Sequence, residues 1–293
     1  MDLNADGYGD LLSGSYSRQS QPMAGLFQVL WGQSNGTFKK AETLGGTDGE
    51  PLIIPVENRD KNPEAWIENI CTRPTAVDWD ADGDLDLVVG NFPGTFYLFT
   101  GEGEGRFLPM AQIIKTGDRP LKVDGHHSDP FVVDWDSDGD LDLLSGSSSG
   151  GVQWAENGAG PGKPPELKPF QTLIEPGPQF KPGQALREDD LTGPASSTRV
   201  WVDDVNSDGK LDVLVGDTVT LVSPAKGVSE EELQKKYAKW QEALEVASKE
   251  LNGPAADETK RNEALRSFQD VYRQRADFML EEPTGFVWLY LRK

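Results

Sequence analysis

The chain has 293 residues, which is enough for one or two domains with a sizeable hydrophobic core. Its 49 acidic and 28 basic residues give a formal net charge of −21, so nucleic acids and anionic membrane surfaces are poor partners. The single cysteine, Cys71, excludes an intrachain disulfide and a cysteine-based metal site, and no apolar run approaches the ~18 residues of a membrane span.

An acidic nine-residue motif begins at Asp2 and recurs three times. The copies start at Asp2, Asp78, Asp134 and Asp204 and share the pattern D-x-[DN]-x-D-G-x-x-D. Their intervals of 76, 56 and 70 residues indicate a repeat architecture. Carboxylates this close together repel each other without a counter-ion, and Ca²⁺ binds roughly 6–8 oxygen ligands. Because the glycine allows a sharp turn around an ion, the motifs predict up to four calcium loops.

The residues around each motif argue against an EF-hand. An EF-hand needs a bidentate Glu at position 12 and a following helix, whereas position 12 here is Ser13, Val89, Ser145 or Val215. Short apolar runs follow the loops, and β-branched segments precede three of them, which indicates strands. We therefore expect each ion in the turn between two antiparallel strands.

Acidic loops between paired strands resemble the FG-GAP/VCBS repeats, which form the blades of integrin α-subunit propellers and of many bacterial surface and secreted proteins. The resemblance covers most of the chain outside residues 224–284. It implies an all-β fold, a calcium-binding β-propeller. It also implies that side chains at motif positions 1, 3, 5 and 9, and the backbone carbonyl at position 7, hold the ion.

Carried over by position, the implied metal ligands fall in four sets of five. They are Asp2, Asn4, Asp6, Tyr8 and Asp10; Asp78, Asp80, Asp82, Asp84 and Asp86; Asp134, Asp136, Asp138, Asp140 and Asp142; and Asp204, Asn206, Asp208, Lys210 and Asp212. The copies with Asn at position 3 have one charge fewer. We therefore expect these two copies to bind Ca²⁺ more weakly.

A propeller blade is a four-stranded antiparallel meander, and about four blades are predicted here. Strands are predicted near 10–16, 25–32 and 37–44 for the first blade; 75–77, 87–90, 94–99 and 106–114 for the second; 131–133, 143–146, 151–156 and 170–174 for the third; and 199–202, 213–216 and 285–291 for the fourth. Trp79 and Trp135, at motif position 2, are expected between blades. The tryptophans within strands are expected in the core: Trp31, Trp154, Trp201 and Trp288.

The pattern changes to a helical period from Ser229. Leu233, Tyr237, Trp240, Leu244, Ala247 and Leu251 follow alternating spacings of four and three, and Ser229 with Glu232 predicts a capping box. A second helix is predicted over about 255–282, with a stripe of Leu265, Phe268, Tyr272 and Met279 that competes with Val271, Arg275 and Phe278. The predicted domains are 1–223 as propeller blades, 224–284 as an inserted helical hairpin and 285–293 as a returning propeller strand.

Met1 directly precedes the first acidic loop, with neither a signal peptide nor the strand that precedes the other loops. The last predicted blade also lacks a strand. We therefore expect a fragment of a larger ring. The family resemblance implies an extracellular, periplasmic or cell-surface location, where calcium loops of Kd on the order of 10⁻⁴–10⁻³ M are typical.

In a meander, the calcium loops share one face and the long connections share the other, where ligands usually bind. Trp66, His126 and His127 are candidate ligand-binding residues on those connections. The predicted function is non-enzymatic binding or adhesion to protein or polysaccharide, with the helical hairpin as a possible arm for a protein partner. Calcium would then be structural.

Two alternatives remain. One is a polysaccharide-active enzyme, a lyase or hydrolase, on the long-loop face; the other is a purely structural module of a larger surface protein. The sequence contains no nucleophile elbow and no metal triad, which argues against catalysis, although a carboxylate pair stays possible in so acidic a chain. A cleft lined by Asp, Arg and Tyr would favour the enzyme, and a flat aromatic patch would favour binding.

Overall fold

The computed structural model describes residues 1–16, 25–55, 65–254 and 257–293. It is mostly β, with several antiparallel sheets and two helices, which confirms the prediction at that level. The chain divides into two units. The first unit comprises Met1–Pro176, Gly193–Asp217 and Val287–Lys293, and the second comprises Gly177–Thr192 and Thr218–Phe286.

The first unit contains a series of antiparallel sheets in which neighbouring strands follow one another along the chain. The first sheet is β1 (Leu11–Ser13), β2 (Gln28–Leu30) and β3 (Glu42–Thr43). The second is β4 (Arg73–Val77), β5 (Asp86–Gly90), β6 (Phe96–Phe99) and β7 (Gln112–Ile113), and a small hairpin of β8 (Lys115–Thr116) and β9 (Arg119–Pro120) follows it. The third is β10 (Asp129–Val133), β11 (Asp142–Gly146), β12 (Val152–Ala155) and β13 (Gln171–Ile174).

A fourth sheet is built on the long strand β15 (Asp212–Pro224), which pairs with β14 (Ser196–Asp203). In the first unit, Val213–Gly216 of this strand also pairs with β17 (Val287–Tyr290). The chain therefore returns, after the second unit, to the sheet that it left.

Three apolar clusters lie between consecutive sheets of the first unit. The strands β5 and β11 are buried at every residue, so their side chains contribute alternately to the clusters on either side, as the period of two in a strand requires. Leu87 lies in the first cluster and Val88 in the second; Leu143 lies in the second and Leu144 in the third. This explains why the predicted strands are continuous apolar runs rather than alternating patterns.

A glycine at the end of the second strand packs directly against the next sheet in each of the first three repeats. A Cβ on Gly90 would lie 2.4 Å from the carbonyl oxygen of Ser128, and one on Gly146 would lie 2.3 Å from that of Thr198. Gly14 approaches Thr72 in the same way. These close approaches require glycine, because any Cβ would overlap the neighbouring backbone.

Hydrogen bonds reinforce each of these three contacts, which we name the glycine joints. The residue after the glycine donates its backbone N–H to the hydroxyl of the contacted Thr or Ser: Ser15 to Thr72 at 2.8 Å, Asn91 to Ser128 at 2.9 Å and Ser147 to Thr198 at 2.9 Å. In return, the backbone N–H groups of the three hydroxyl residues donate to the carbonyls of the residues that follow the glycines: Thr72 to Ser15, Ser128 to Asn91 and Thr198 to Ser147. Each joint thus connects two successive sheets through two hydrogen bonds.

The second unit contains α1 (Glu230–Asn252), α2 (Glu258–Arg273) and β16 (Met279–Thr284), which pairs with Val219–Pro224 of β15. The capping box at Ser229 is present, as predicted. The core of the unit includes Leu233, Trp240 and Phe278, and the Trp240 indole donates to the carbonyl of Val271 at 2.8 Å.

Two local predictions are wrong. The second helix ends at Arg273 rather than near 282, because the residues after a short 3-10 turn pair with the exposed edge of β15. Val271, Phe278 and Met279 pack in the core of the second unit while Leu265 and Tyr272 are exposed, so neither predicted stripe is buried as a whole. Trp201 is 60% exposed rather than in the core, because it lies on the outer face of β14 with Arg199 and Asp203.

We expect Gly90→Ala to lower the free energy of unfolding by about 1–3 kcal/mol, because the new methyl group overlaps the backbone of the adjacent sheet. Gly216 stands at the same repeat position, but a Cβ there would lie 3.9 Å from its nearest neighbour, so Gly216→Ala is the matched control. Urea denaturation of both variants measures the difference. Equal stability of the two would contradict the role assigned to the joint.

Candidate metal-binding loops

The four acidic loops have the same backbone geometry although their sequences differ at the variable positions. The fourth residue and the glycine at position six both have positive φ in every copy. The values are 56° and 90° for Ala5 and Gly7, 61° and 99° for Ala81 and Gly83, 65° and 93° for Ser137 and Gly139, and 59° and 85° for Ser207 and Gly209. The left-handed residues curl each loop back on itself, which brings its side-chain oxygens together.

Hydrogen bonds within the loops fix the first and fifth side chains. In each loop, the first Asp accepts the N–H of the glycine at 2.8–3.1 Å, and the fifth accepts the N–H of position seven at 2.9–3.1 Å. Each bond uses one lone pair of a carboxylate oxygen and leaves others available. The carboxylates are thus held in place by the loop itself.

The ninth Asp of each loop is buried and joins three parts of its sheet. In the second loop, Asp86 accepts the N–H of Trp79 at 2.9 Å and that of Gly101, after the third strand, at 2.7 Å. The third loop repeats this with Asp142, which accepts from Trp135 at 3.0 Å and Asn157 at 2.7 Å. In the first loop, Asp10 accepts the N–H groups of Leu3 and Gly32. In the fourth, Asp212 accepts those of Val205 and Arg292.

Burial makes a negative charge unfavourable at the ninth position of the second and third loops. It raises the pKa of Asp142 to about 6, against the opposing effect of the two backbone hydrogen bonds, and it raises the pKa of Asp86 in the same direction. Neighbouring carboxylates of the same loops add to both shifts. A cation at the loop would favour the charged form and so oppose these shifts.

Carboxylates converge in the second and third loops. Oxygens of Asp78, Asp80 and Asp86 lie within 4.8 Å of one another, as do those of Asp134, Asp136 and Asp138. Within the described residues, Oδ1 of Asp78 and Oδ1 of Asp140 are buried without a hydrogen-bond partner. Clustered hard oxygens, some of them buried and unpaired, fit a divalent cation such as Ca²⁺.

The first and fourth loops differ at position three. The amide of Asn4 donates to Asp6 at 3.1 Å, and that of Asn206 donates to Asp208 at 3.2 Å. These amides reduce the repulsion between side chains that the other two loops leave uncompensated. Weaker cation binding at these two loops and the assignment of individual ligands in all four loops stay predictions.

The three other candidate residues lie in connections between sheets. Trp66 belongs to a 3-10 helix at Ala65–Asn69, but its side chain lies outside the described residues. The rings of His126 and His127 both contact Phe92, at centroid distances of 5.6 and 4.8 Å. Burial, followed by the charge of Arg73, lowers the pKa of His127. No metal-ligating cluster among the described residues includes a histidine.

A second polar group, which was not predicted from the sequence, lies at the opposite ends of the strands from the acidic loops. Arg73, Asp129 and Arg199 each follow the hydroxyl residue of a glycine joint, and β10 lies beside both β4 and β14. They line a cleft of about 380 Å³ together with residues 12–16 and 71–74. We name it the arginine cleft. The sequence contains a pattern that could have predicted this group: Arg73, Asp129 and Arg199 recur at the intervals of 56 and 70 residues that separate the corresponding acidic loops.

Comparison with known proteins supports the repeat assignment over part of the chain. Residues 78–145 match the family model of the FG-GAP-like repeat, which spans the second and third acidic loops and confirms the predicted family resemblance in that segment. No curated protein matches the chain. Among the described residues, no helix is both long and apolar enough to cross a membrane.

One similar solved structure is an Agrocybe aegerita lectin, described as specifically recognising non-reducing terminal N-acetylglucosamine. It is 18% identical, with a TM-score of 0.36, and the match covers 75% of this chain and 48% of the lectin chain. The chain therefore spans about half the length of that lectin. At this TM-score the likeness carries no argument about fold or ligand.

We expect Asp86→Ala to destabilise the protein by about 2–4 kcal/mol even in EDTA, because it leaves the buried N–H groups of Trp79 and Gly101 unpaired. The control is Asp80→Ala in the same loop, whose exposed side chain accepts one longer bond, 3.3 Å from the N–H of Asp82. Without an ion, that variant should be neutral or slightly stabilising. Equal free energies of unfolding for the two variants, measured by urea denaturation in EDTA, would contradict the structural role of the ninth carboxylate.

Proposed function

We propose that this chain is a calcium-stabilised β-propeller portion that acts as a non-enzymatic binding module for protein or polysaccharide. The observation that carries the proposal is the set of four acidic loops with one shared geometry, two of which gather three carboxylates within 4.8 Å. The match of residues 78–145 to the FG-GAP-like repeat supports the same interpretation, because such repeats often bind Ca²⁺.

The repeated contacts between sheets support the propeller arrangement. Each sheet of the first unit meets the next through the same glycine joint and the same type of apolar cluster. A radial series of meanders, related by one repeated contact, is how blades follow one another in a propeller. In the proposed organisation, 1–223 and 285–293 supply blades and 224–284 is a helical insertion.

The proposed roles of the two ends of the strands are different. At one end, Ca²⁺ neutralises the carboxylates of the acidic loops and holds each turn. The opposite end carries the long connections and the arginine cleft, where a ligand would bind. Because loops of this kind suit millimolar Ca²⁺, the proposed location is extracellular, periplasmic or at the cell surface.

The arginine cleft also bears on the enzyme alternative, because Asp129, two arginines and Tyr16 line it. Glycoside hydrolysis uses two carboxyl groups on either side of the bond that is cleaved. Within the described part of the chain, Asp129 is the one carboxylate that lines the cleft, and it lies between two guanidinium groups. The lining of Asp, Arg and Tyr thus meets the criterion for the enzyme alternative in residue types, but among the described residues the cleft lacks the second carboxyl group that hydrolysis requires. Release of unsaturated or reducing sugar ends from a polysaccharide would overturn the choice of binding over catalysis.

We expect Ca²⁺ to raise the melting temperature relative to EDTA, and equimolar Mg²⁺ to raise it much less. Each site contributes about 2.7 kcal/mol at a Ca²⁺ concentration of 100 Kd. Asp80→Asn and Asp136→Asn should each reduce the shift, because they remove a charge from the two clusters of carboxylates. Asp118→Asn, at an exposed position outside the loops, is the matched control.

Thermal melts monitored by circular dichroism measure these shifts and report folding in the same experiment. A folded protein with the same melting temperature in EDTA and in Ca²⁺ would refute calcium stabilisation. An equal effect of Mg²⁺ would replace the calcium-specific proposal by general charge screening.

A further inference from the structure

The arginine cleft combines charges that the rest of the chain does not explain. Arg73 and Arg199 approach the same oxygen of Asp129, and each Nε lies 3.6 Å from Oδ1. The other oxygen of Asp129 accepts the N–H of Val200 at 3.2 Å. One carboxylate therefore lies between two guanidinium groups, which leaves a local excess of one positive charge in a chain of net charge −21.

Backbone carbonyls hold both guanidinium groups in place. Nη1 of Arg73 donates to the carbonyl of His127 at 2.9 Å, and Nη1 of Arg199 donates to that of Thr198 at 3.2 Å. Among the described residues, Nη2 of neither arginine has a hydrogen-bond partner. A guanidinium with a fixed orientation and free N–H groups is suited to a carboxylate, which it can bind through two parallel hydrogen bonds.

The two arginines are also unfavourably placed without an anion. The side chain of Arg73 is 18% exposed, and its burial, followed by the proximity of Arg199, lowers its pKa. The buried Asp129 compensates one charge of the pair. A single carboxylate of a ligand would compensate the other charge.

The surroundings of the cleft fit a sugar rather than a bare anion. Its volume of about 380 Å³ is at the lower end of the range for small-ligand sites, and its lining includes the hydroxyl residues Ser13, Thr72 and Tyr16. Trp201 lies two residues after Arg199 on the same outer face of β14, is 60% exposed, and contacts the ring of Phe131 at 5.4 Å. An exposed indole beside a charged group offers an apolar surface on which a neighbouring sugar ring can pack.

We propose that the arginine cleft binds the carboxylate of a uronic acid, with Arg73 and Arg199 as the anion ligands and Trp201 as a platform for the adjoining sugar of an acidic glycan. This inference deepens the proposed binding function, on which it rests, by naming the chemistry of the ligand. It does not depend on calcium binding at the acidic loops. Free uronate and a uronate within a glycan share the recognised group and differ in their use of Trp201.

The test is isothermal titration calorimetry of the full chain in Ca²⁺ with galacturonate, glucuronate and a trigalacturonate, and with neutral galactose and glucose as controls. We expect binding of an acidic sugar and at least tenfold weaker binding of its neutral counterpart. Arg199→Gln should weaken uronate binding at least tenfold, and Arg199→Lys should give an intermediate loss because it keeps the charge but not the planar donors. Arg106→Gln, an equal charge change at an exposed site, should leave binding unchanged.

Two further variants separate the parts of the proposal. Asp129→Asn should strengthen uronate binding severalfold, because it removes the competing carboxylate, and circular dichroism checks that the variant folds. Trp201→Ala should weaken trigalacturonate binding at least fivefold and leave the monosaccharide unaffected. Uronate binding with no effect of Trp201→Ala on the affinity for the trimer would assign the cleft to free uronate and overturn the glycan platform.

Other results overturn the inference as a whole. These are binding that is unaffected by Arg199→Gln, binding of an acidic peptide in place of every uronate, and binding of neutral glycans alone. In the last case the proposed binding function stands while the inferred ligand chemistry fails. If the chain binds no protein or glycan while its Ca²⁺-dependent melting shift persists, both fail and the calcium scaffold remains.

Discussion

The buried carboxylate at the ninth position of each acidic loop is the interaction on which the repeated architecture depends. Asp86 and Asp142 each connect the start of a loop with the chain just after the third strand of the same sheet. Burying a carboxylate is unfavourable unless donors surround it, and here two backbone N–H groups do so. The acidic loop is therefore part of the sheet, and its other carboxylates are held on a fixed frame.

That frame also accounts for the contacts between sheets. A second-strand glycine follows each loop at a constant distance, twelve residues after its first Asp, and three of these glycines contact the next sheet. The contacted hydroxyl residues, Thr72, Ser128 and Thr198, lie six residues before the next acidic loop. One repeat thus specifies a possible ion site at one end of its strands and the connection to its neighbour at the other.

The arginine cleft is a consequence of the same repetition. Each joint ends on a hydroxyl residue, and the next residue begins β4 or β10 or is the fourth residue of β14. In successive repeats these residues are Arg73, Asp129 and Arg199. A position that is structurally equivalent in every repeat, but chemically different, can create a binding site without disturbing the scaffold. This is why the cleft can carry a specific ligand chemistry while the joints beside it stay alike.

The sequence by itself determined the local structure. Short apolar runs beside the acidic motifs located the central strands of the first three sheets, and the capping box at Ser229 located the start of α1. The acidic motifs located the loops. These features depend on neighbours within a few residues. The tertiary structure decided the features that depend on residues far apart in the chain. Helix α2 ends at Arg273 since the following chain pairs with β15, and Trp201 is exposed since β14 turns that face outward. The arginine cleft joins residues 56 and 70 positions apart in the chain, and only the packing of successive sheets brings their charges together.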